Sequence, residues 1–369
     1  MAGARLSVSV SRLFRRSEPF HSSRRYCSLA SPCAVSYSQY GDPSKVLRFL
    51  TDVDLPDVQD DQVSVRMLAA PINPADINMI QGVYPIKPPL PAVGGNEGVG
   101  EVVSVGSGVS DLQSGDWVIP ADSGWGTWRT HAVCRASELR KIPNNIPLDA
   151  AATLAVNPCT AYRMLTDFQH LQPGDTIVQN GANSGVGQAV IQIAAARGLV
   201  TINVVRNRPD RASYYELEMY LKGLGGHYII TEEGLRRQDF RDIFKRLPRP
   251  KLALNCVGGK SATEILRHLE TGGTMVTYGG MSRQPVTVPT GSLIFQDIKV
   301  VGYWMTQWNK RQKDSQESSE MLSTLCDYIR QGKLQPPSNI QVPISDYMTA
   351  INSTRDAFTT KKQILNMAS

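Results

Sequence analysis

Hydrophobic and polar positions change rhythm once along the chain. Between residues 34 and 150 they alternate at period two in short runs. Gln62-Val63-Ser64-Val65-Arg66-Met67 is one such run, and Gly100-Glu101-Val102-Val103-Ser104-Val105 is another, with Gly106 and Gly108 following as turn residues. Alternation puts apolar side chains on one face, so this part predicts short strands, frequent turns and a mostly-β unit, closed or strongly curled. Prolines at 71, 74, 85, 88, 89 and 91 predict one long irregular loop over residues 71–92. Long loops inside compact units are usually functional.

From residue 150 the pattern becomes helical and then alternates. Asp149 to Ala152 and Leu154 to Leu165 read as helical. After Pro173-Gly174-Asp175, Thr176–Gln179 is strand-like and Val186–Arg197 is helix-like, with Val186, Val190, Ile193 and Ala194 on one face and Gly198 as its stop. Further strands are expected at Val200–Val205, His227–Thr231, Lys251–Cys256, Thr274–Tyr278 and Ile298–Tyr303. Strands separated by helix-length segments mean βαβ units and a doubly wound parallel sheet, an α/β fold. The last sixty residues predict one amphipathic helix near Ser315–Arg330 and a short β-like finish. A length of 369 residues argues for two domains.

Charge changes the picture at one end only. The chain carries a net +6, but Arg5, Arg12, Arg15, Arg16, Arg24 and Arg25 against Glu18 place +5 of it in residues 1–30, leaving +1 for the rest. A nearly neutral body argues against a nucleic-acid surface. Those thirty residues hold seven serines and no lysine or aspartate, with Leu6, Val8, Val10, Leu13 and Phe14 as an apolar side. That is the composition of a mitochondrial presequence and sends the protein to the matrix. No run of about eighteen apolar residues is present, so no membrane-spanning helix is expected. The six cysteines are scattered without a CxxC pair, as in an enzyme of a reduced compartment.

Candidate chemistry starts at Asn180-Gly181-Ala182-Asn183-Ser184-Gly185-Val186-Gly187, between the first strand of the sheet and a helix. Glycines there let a backbone approach a pyrophosphate, and the helix N-terminus offers free N–H groups. The motif is not a strict G-x-G-x-x-G, because Val190 takes its last place. At the end of the second strand, where NAD-binding sheets carry an acid for the ribose, the chain reads Arg206-Asn207-Arg208 with no acid before Asp210. Two guanidiniums favour a 2′-phosphate, hence NADPH. There is no HExxH, no paired His/Cys spacing and no GxSxG, so neither a zinc hydrolase nor an α/β-hydrolase is supported.

A β-rich unit followed by a dinucleotide fold resembles the medium-chain dehydrogenase/reductase superfamily. The resemblance implies a GroES-like catalytic domain beside a Rossmann-type sheet. In zinc members a Gly-His-Glu segment and an upstream Cys bind the metal; here Gly95-Asn96-Glu97 and Asn73 stand in those places. Asparagine is a poor zinc ligand, so a metal-free branch is expected. Asn73-Pro74-Ala75-Asp76-Ile77-Asn78-Met79-Ile80-Gln81-Gly82-Val83-Tyr84, Val156-Asn157-Pro158-Cys159-Thr160-Ala161-Tyr162-Arg163 and Asn183 to Ala189 are similar to the mitochondrial trans-2-enoyl-CoA/enoyl-[acyl-carrier-protein] reductases. So are Tyr278-Gly279-Gly280-Met281 and Gly302-Tyr303-Trp304.

That resemblance implies Tyr84 as the proton donor. It implies NADPH contacts at Asn157, Asn183, Ser184, Gly185, Val186, Arg206, Asn207 and Arg208. They continue at Tyr278, Gly279, Gly280, Met281, Tyr303, Trp304, Met305 and Lys362. Its substrate would be an enoyl-acyl-carrier-protein or enoyl-CoA, and its assembly a homodimer through the edge of the cofactor-domain sheet. One departure is Arg211–Gly223, nearly a helical turn longer than the family pattern. The rival readings are an NADPH quinone oxidoreductase of the same superfamily and a non-enzymatic nucleic-acid or regulatory binding protein on the same fold.

Overall fold

The computed structural model describes residues 31–312, 315–355 and 361–367. The presequence assigned to residues 1–30 lies outside them. In the second half of the chain, six strands form one parallel sheet: β1 (Thr176–Gln179), β2 (Val200–Val205), β3 (Tyr228–Thr231), β4 (Leu252–Asn255), β5 (Thr274–Thr277) and β6 (Lys299–Gly302). Their order is β3-β2-β1-β4-β5-β6, the doubly wound arrangement whose crevice lies beyond the carboxyl ends of the strands. Every residue of the central strands β1 and β4 is buried, as helices on both faces require.

Helix Gly185–Ala196 follows β1 directly. Ser184 caps it, its Oγ accepting from the Gly187 N–H at 3.2 Å, which satisfies one of the free donors of the first turn. Val190, Ile193 and Ala194 are buried on its inner side, and Gly198 leaves it with φ +72°. The long segment after the arginine turn is one uninterrupted helix, Arg211–Gly223, capped by Asp210 and anchored through Leu217 and Leu221.

The first part of the chain, with its last strands, builds the second sheet. Neighbouring strands run in the order Asn339–Pro343, Lys362–Asn366, Gln62–Pro71, Val99–Val105, Trp117–Pro120 and Leu139–Ile142, and His131–Arg135 also pairs with Gln62–Pro71. Ala34–Tyr37, flanked by Leu47–Leu50 and Ala92–Val93, closes one side. Trp128, fully buried, fills the angle. Its ring lies so close to Gly94 and Gly95 that a Cβ on either would come within 2.3–2.4 Å of a ring or hydroxyl atom. This contact fixes the path of the segment that leads to Asn96 and Glu97.

Three expectations change. Residues 71–92 are not one irregular loop: Pro74–Ile80 is a helix. Pro74 sits in its first turn, where no N–H is needed, and Asn73 and Asp76 form a capping box. Residues 149–165 are two helices, Leu148–Ala152 and Asn157–Asp167. They are parted where the Val156 N–H turns away to a carboxylate of the other domain. The C-terminal part holds two further helices, Met305–Gln312 and Tyr347–Arg355, besides Gln316–Arg330.

The apolar core runs across both sheets. Ile119, Ile142 and Ile146 belong to one buried cluster with Leu154, Met164, Ile177 and Val190. Met321, Leu325 and Ile329 of helix Gln316–Arg330 join the same cluster. No helix of the described residues is long and apolar enough to cross a membrane.

Candidate active site

The dinucleotide turn is held from below by amides. Gln179 Nε2, at the end of β1, donates to the Gly187 carbonyl at 3.0 Å and to Asn203 Oδ1 of β2 at 2.9 Å. Asn180 Nδ2 donates to Asn255 Oδ1 at the end of β4 at 2.8 Å, and Asn180 Oδ1 accepts from the Cys256 N–H at 2.8 Å. These buried side chains lock three strand ends together, so the loops above them start from fixed points. Gly181 has φ +59°, and a Cβ on Gly187 would fall 2.6 Å from the Ala182 carbonyl. Both positions need glycine for a tight turn and close helix–strand packing.

The sequence-derived cofactor residues are placed as follows. Asn183, Ser184, Gly185 and Val186 stand beyond β1, and Arg206, Asn207 and Arg208 beyond β2. Tyr278, Gly279, Gly280 and Met281 follow β5, and Tyr303, Trp304 and Met305 follow β6. All lie at carboxyl ends of one sheet. From β2 to β6 is four strand spacings, about 19 Å, a row long enough for an extended dinucleotide. Asn157 reaches the turn from its own helix: a Cβ on Gly185 would meet Asn157 Nδ2 at 2.9 Å.

The residues present fit a dinucleotide. Asn157 Nδ2 and Asn207 Oδ1 are buried with no protein partner, and such groups normally find one. One is a donor against the glycine turn and the other an acceptor beside the arginines. Burial and the neighbouring Arg206 charge push the Arg208 pKa down, the condition under which an added anion is most welcome. Asp210 is spent as a helix cap, accepting from the Ser213 N–H at 2.8 Å, so it does not stand in for a ribose-binding acid. Tyr303 and Met305 turn into the core instead, where the Tyr303 hydroxyl donates to Met305 Sδ at 3.0 Å. Burial beside Cys256 drives the Tyr278 hydroxyl well above the usual tyrosine range, so it stays protonated.

Tyr84 comes from the loop that follows helix Pro74–Ile80. Trp304 Nε1 donates to Tyr84 Oη at 2.9 Å, and the two rings meet edge-on with centroids 6.0 Å apart. Because the oxygen accepts there, its own proton remains available for another acceptor. Burial pushes its pKa up and Asp76 adds to this, while Trp304 and Thr306 pull it partly back. Thr306 in turn bonds Ser123 at 2.9 Å. The loop carrying Tyr84 is tied at its far side, where Tyr40 donates to the Pro88 carbonyl at 3.1 Å. Lys87 lies over the Tyr40 ring at 5.8 Å.

Next to Tyr84 lies a buried polar cluster in which Lys362, expected as a cofactor contact, is bonded to Asn73 instead, and in which sequence reasoning gives Asp76 and Glu97 no role. Asn73 Nδ2 donates to Glu97 Oε2 at 2.8 Å, Asn96 Nδ2 to Asp76 Oδ1 at 2.6 Å, and Lys362 Nζ to Asn73 Oδ1. The Val156 N–H closes the set on Glu97 Oε1 at 2.7 Å. Burial raises Glu97 to about 7 and Asp76 to about 6, against the pull of Lys362 and the amides. Burial also lowers Lys362, against those two carboxylates. The two asparagines in the metal-ligand places thus serve as donors to carboxylates. Among the described residues no group of three or more His, Cys, Asp or Glu could hold a metal ion. The one local signal for the cluster was the capping pattern Asn73-x-x-Asp76.

The chain matches the alcohol dehydrogenase GroES-like domain over residues 59–144 and the zinc-binding dehydrogenase family over residues 185–324. A GroES-like part joined to a parallel dinucleotide sheet defines the medium-chain dehydrogenase/reductase class. The chain is 55% identical over 350 residues to the mitochondrial enoyl-[acyl-carrier-protein] reductase of Xenopus tropicalis, covering 94% of this chain and 98% of the relative. It superposes on the Etr1p/NADP/crotonyl-CoA complex with a TM-score of 0.83 and 37% identity, over 91% of this chain and 99% of that one. A putative NADPH:quinone reductase from Bacillus thuringiensis is more distant, at 26% identity and a TM-score of 0.79 over 91% and 99% of the two chains. This chain belongs to the family of mitochondrial enoyl-[acyl-carrier-protein] reductases.

Proposed function

We propose that the protein reduces trans-2-enoyl thioesters, carried on acyl-carrier-protein or CoA, to saturated acyl thioesters in the mitochondrion, the last step of a fatty-acid synthesis cycle. The observation that carries this reading is the Tyr84 hydroxyl, held at 2.9 Å by Trp304 of the segment that follows β6 of the cofactor sheet. When bound, NADPH supplies a hydride for C3 of the enoyl group. Asn157, the Asn183–Val186 turn, the arginine pair, Tyr278–Met281 and the backbone of Tyr303–Met305 would hold it, with Lys362 at the floor of the cleft. Trp304 and Thr306 aim Tyr84, and Tyr84 delivers its proton to C2 of the enolate. A raised pKa suits that role, because the group is fully protonated at working pH.

The same reading assigns residues 34–152 and 304–369 to the catalytic domain and 153–303 to NADPH. It also includes a homodimer. What supports the dimer is the open edge strand β6, next to helix Thr290–Gln296, whose Phe295 is 81% exposed and Ile294 66% exposed. Unpaired edges and contiguous apolar side chains are what a symmetric partner covers. No feature of the site favours a quinone ring or a nucleic acid. The test is oxidation of NADPH measured in parallel with a trans-2-enoyl-CoA and with a quinone. Turnover of the enoyl-CoA well above that of the quinone is expected; the reverse would overturn the reading.

A further inference from the structure

We propose that Tyr220 is a positioning residue that ties the dinucleotide turn of one domain to the lysine strand of the other. The inference rests on reading Asn183–Val186 as the dinucleotide turn. A continuous chain of hydrogen bonds runs between the two. Gln188 Nε2 donates to the Asn183 carbonyl at 2.9 Å. Gln188 Oε1 accepts from the Tyr220 hydroxyl at 2.9 Å, and Tyr220 Oη accepts from the Ser338 N–H at 3.4 Å. The Ser338 carbonyl then accepts from the Lys362 N–H at 2.7 Å, and the Lys362 ammonium reaches Asn73.

A second set of bonds braces the same crossing. Gln192 Oε1 accepts from the Gln335 N–H at 2.8 Å, and Gln192 Nε2 donates to the Gln335 carbonyl at 3.2 Å. Asn339 Nδ2 donates to Asp149 at 3.0 Å, which fastens the end of the segment to its own domain. Residues 335–339 are thus a strap laid across helix Gly185–Ala196. Gln188 and Gln192 are 3% and 5% exposed, and burying an amide without a partner is costly. An apolar side chain would hold this face together more simply. Two glutamines, satisfied by an exposed strap and a tyrosine, make an interface that is directional and able to re-form.

The functional consequence follows from linkage. The bond from Gln188 to Asn183 sets the turn, and the clasp sets Gln188, so closing the strap and binding at the turn favour one another. Tyr220→Phe keeps the ring and removes the hydroxyl that joins the two halves. Loss of one such bond should raise the KM for NADPH by about 3–10-fold. The turnover rate at saturating NADPH should stay within about twofold, and the Tm of the cofactor-free protein within about 2 °C. Gln192→Leu, which cuts the strap at its other anchor, should move the KM in the same direction.

A lowered Tm with an unchanged KM for NADPH would make Tyr220 a merely structural residue and overturn the proposal. So would a variant that matches the parent in both. Direct NADPH titration of the parent protein separates the two readings. Failure of the parent to bind NADPH overturns the cofactor reading and the clasp with it. Equal binding by parent and Tyr220→Phe overturns the clasp alone.

Discussion

In the cofactor half of the cleft, nearly every group assigned to the dinucleotide hangs on the end of a parallel strand. In the facing half, the key groups come from places far apart in the chain. Tyr84 and Trp304 are 220 residues apart, and Asn73 and Lys362 are 289 apart. The first wall is made of backbone, amides and the Arg206–Arg208 pair, with its strand ends braced by Gln179, Asn180 and Asn255. The second is made of a half-buried hydroxyl beside two carboxylates and an ammonium. A charged ligand can be gripped by regular structure, because strand ends and a helix N-terminus supply donors repeatedly. A proton donor needs a perturbed environment, which burial and long-range contacts must create.

If that division holds, damage to the two walls should separate in the kinetics. The largest effect is expected from Tyr84→Phe. The ring and its packing on Trp304 are kept, and the proton is lost. Positioned acids contribute about 10²–10⁴-fold, so turnover of an enoyl-CoA should fall at least by the lower figure while NADPH binding barely changes. A variant that works within a few-fold of the parent would remove Tyr84 from the mechanism.

Arg206→Ala with Arg208→Ala should come next and strike the other wall. Each charge-assisted contact to a 2′-phosphate is worth about 1.5–3 kcal/mol. The KM for NADPH should therefore rise at least about tenfold more than that for NADH. Equal losses with both cofactors would mean that the arginines do not read the phosphate.

The smallest effect is on stability and belongs to the buried cluster. Glu97 is raised by burial from 4.5 to about 7, and Asp76 to about 6. The folded protein thus holds protons that the unfolded chain has released between about pH 4 and 7. Their stabilisation is complete below that range and is lost as pH rises through the folded values. Glu97→Gln removes the larger part, so its denaturation midpoint should vary less between pH 5 and 8 than that of the parent. An unaltered pH profile would mean that Glu97 is not the titrating group.

The same contrast explains what could be read from the sequence. The six parallel strands, the helix Gly185–Ala196 and the phosphate turn follow from local periodicity and glycine placement, and they stand within a residue or so of their expected limits. The loop wall was less legible. Prolines at 71 and 74 read as breakers, yet Pro74 opens a helix because Asn73 and Asp76 cap it. Glu97 and Thr306 left no pattern, since their meaning comes from partners in other elements. Tyr84 was found through its resemblance to known reductases; periodicity alone would leave it an aromatic in a proline-rich loop.

The account holds that each wall delivers one hydrogen, and isotope placement reads this directly. Trans-2-enoyl-CoA is reduced once with deuterated NADPH in ordinary water and once with ordinary NADPH in heavy water. The saturated product is then examined by NMR. Deuterium from the cofactor is expected at C3, and deuterium from solvent, passed through the Tyr84 hydroxyl, at C2. Cofactor deuterium at C2, or product free of cofactor deuterium, would contradict the assignment of the two walls.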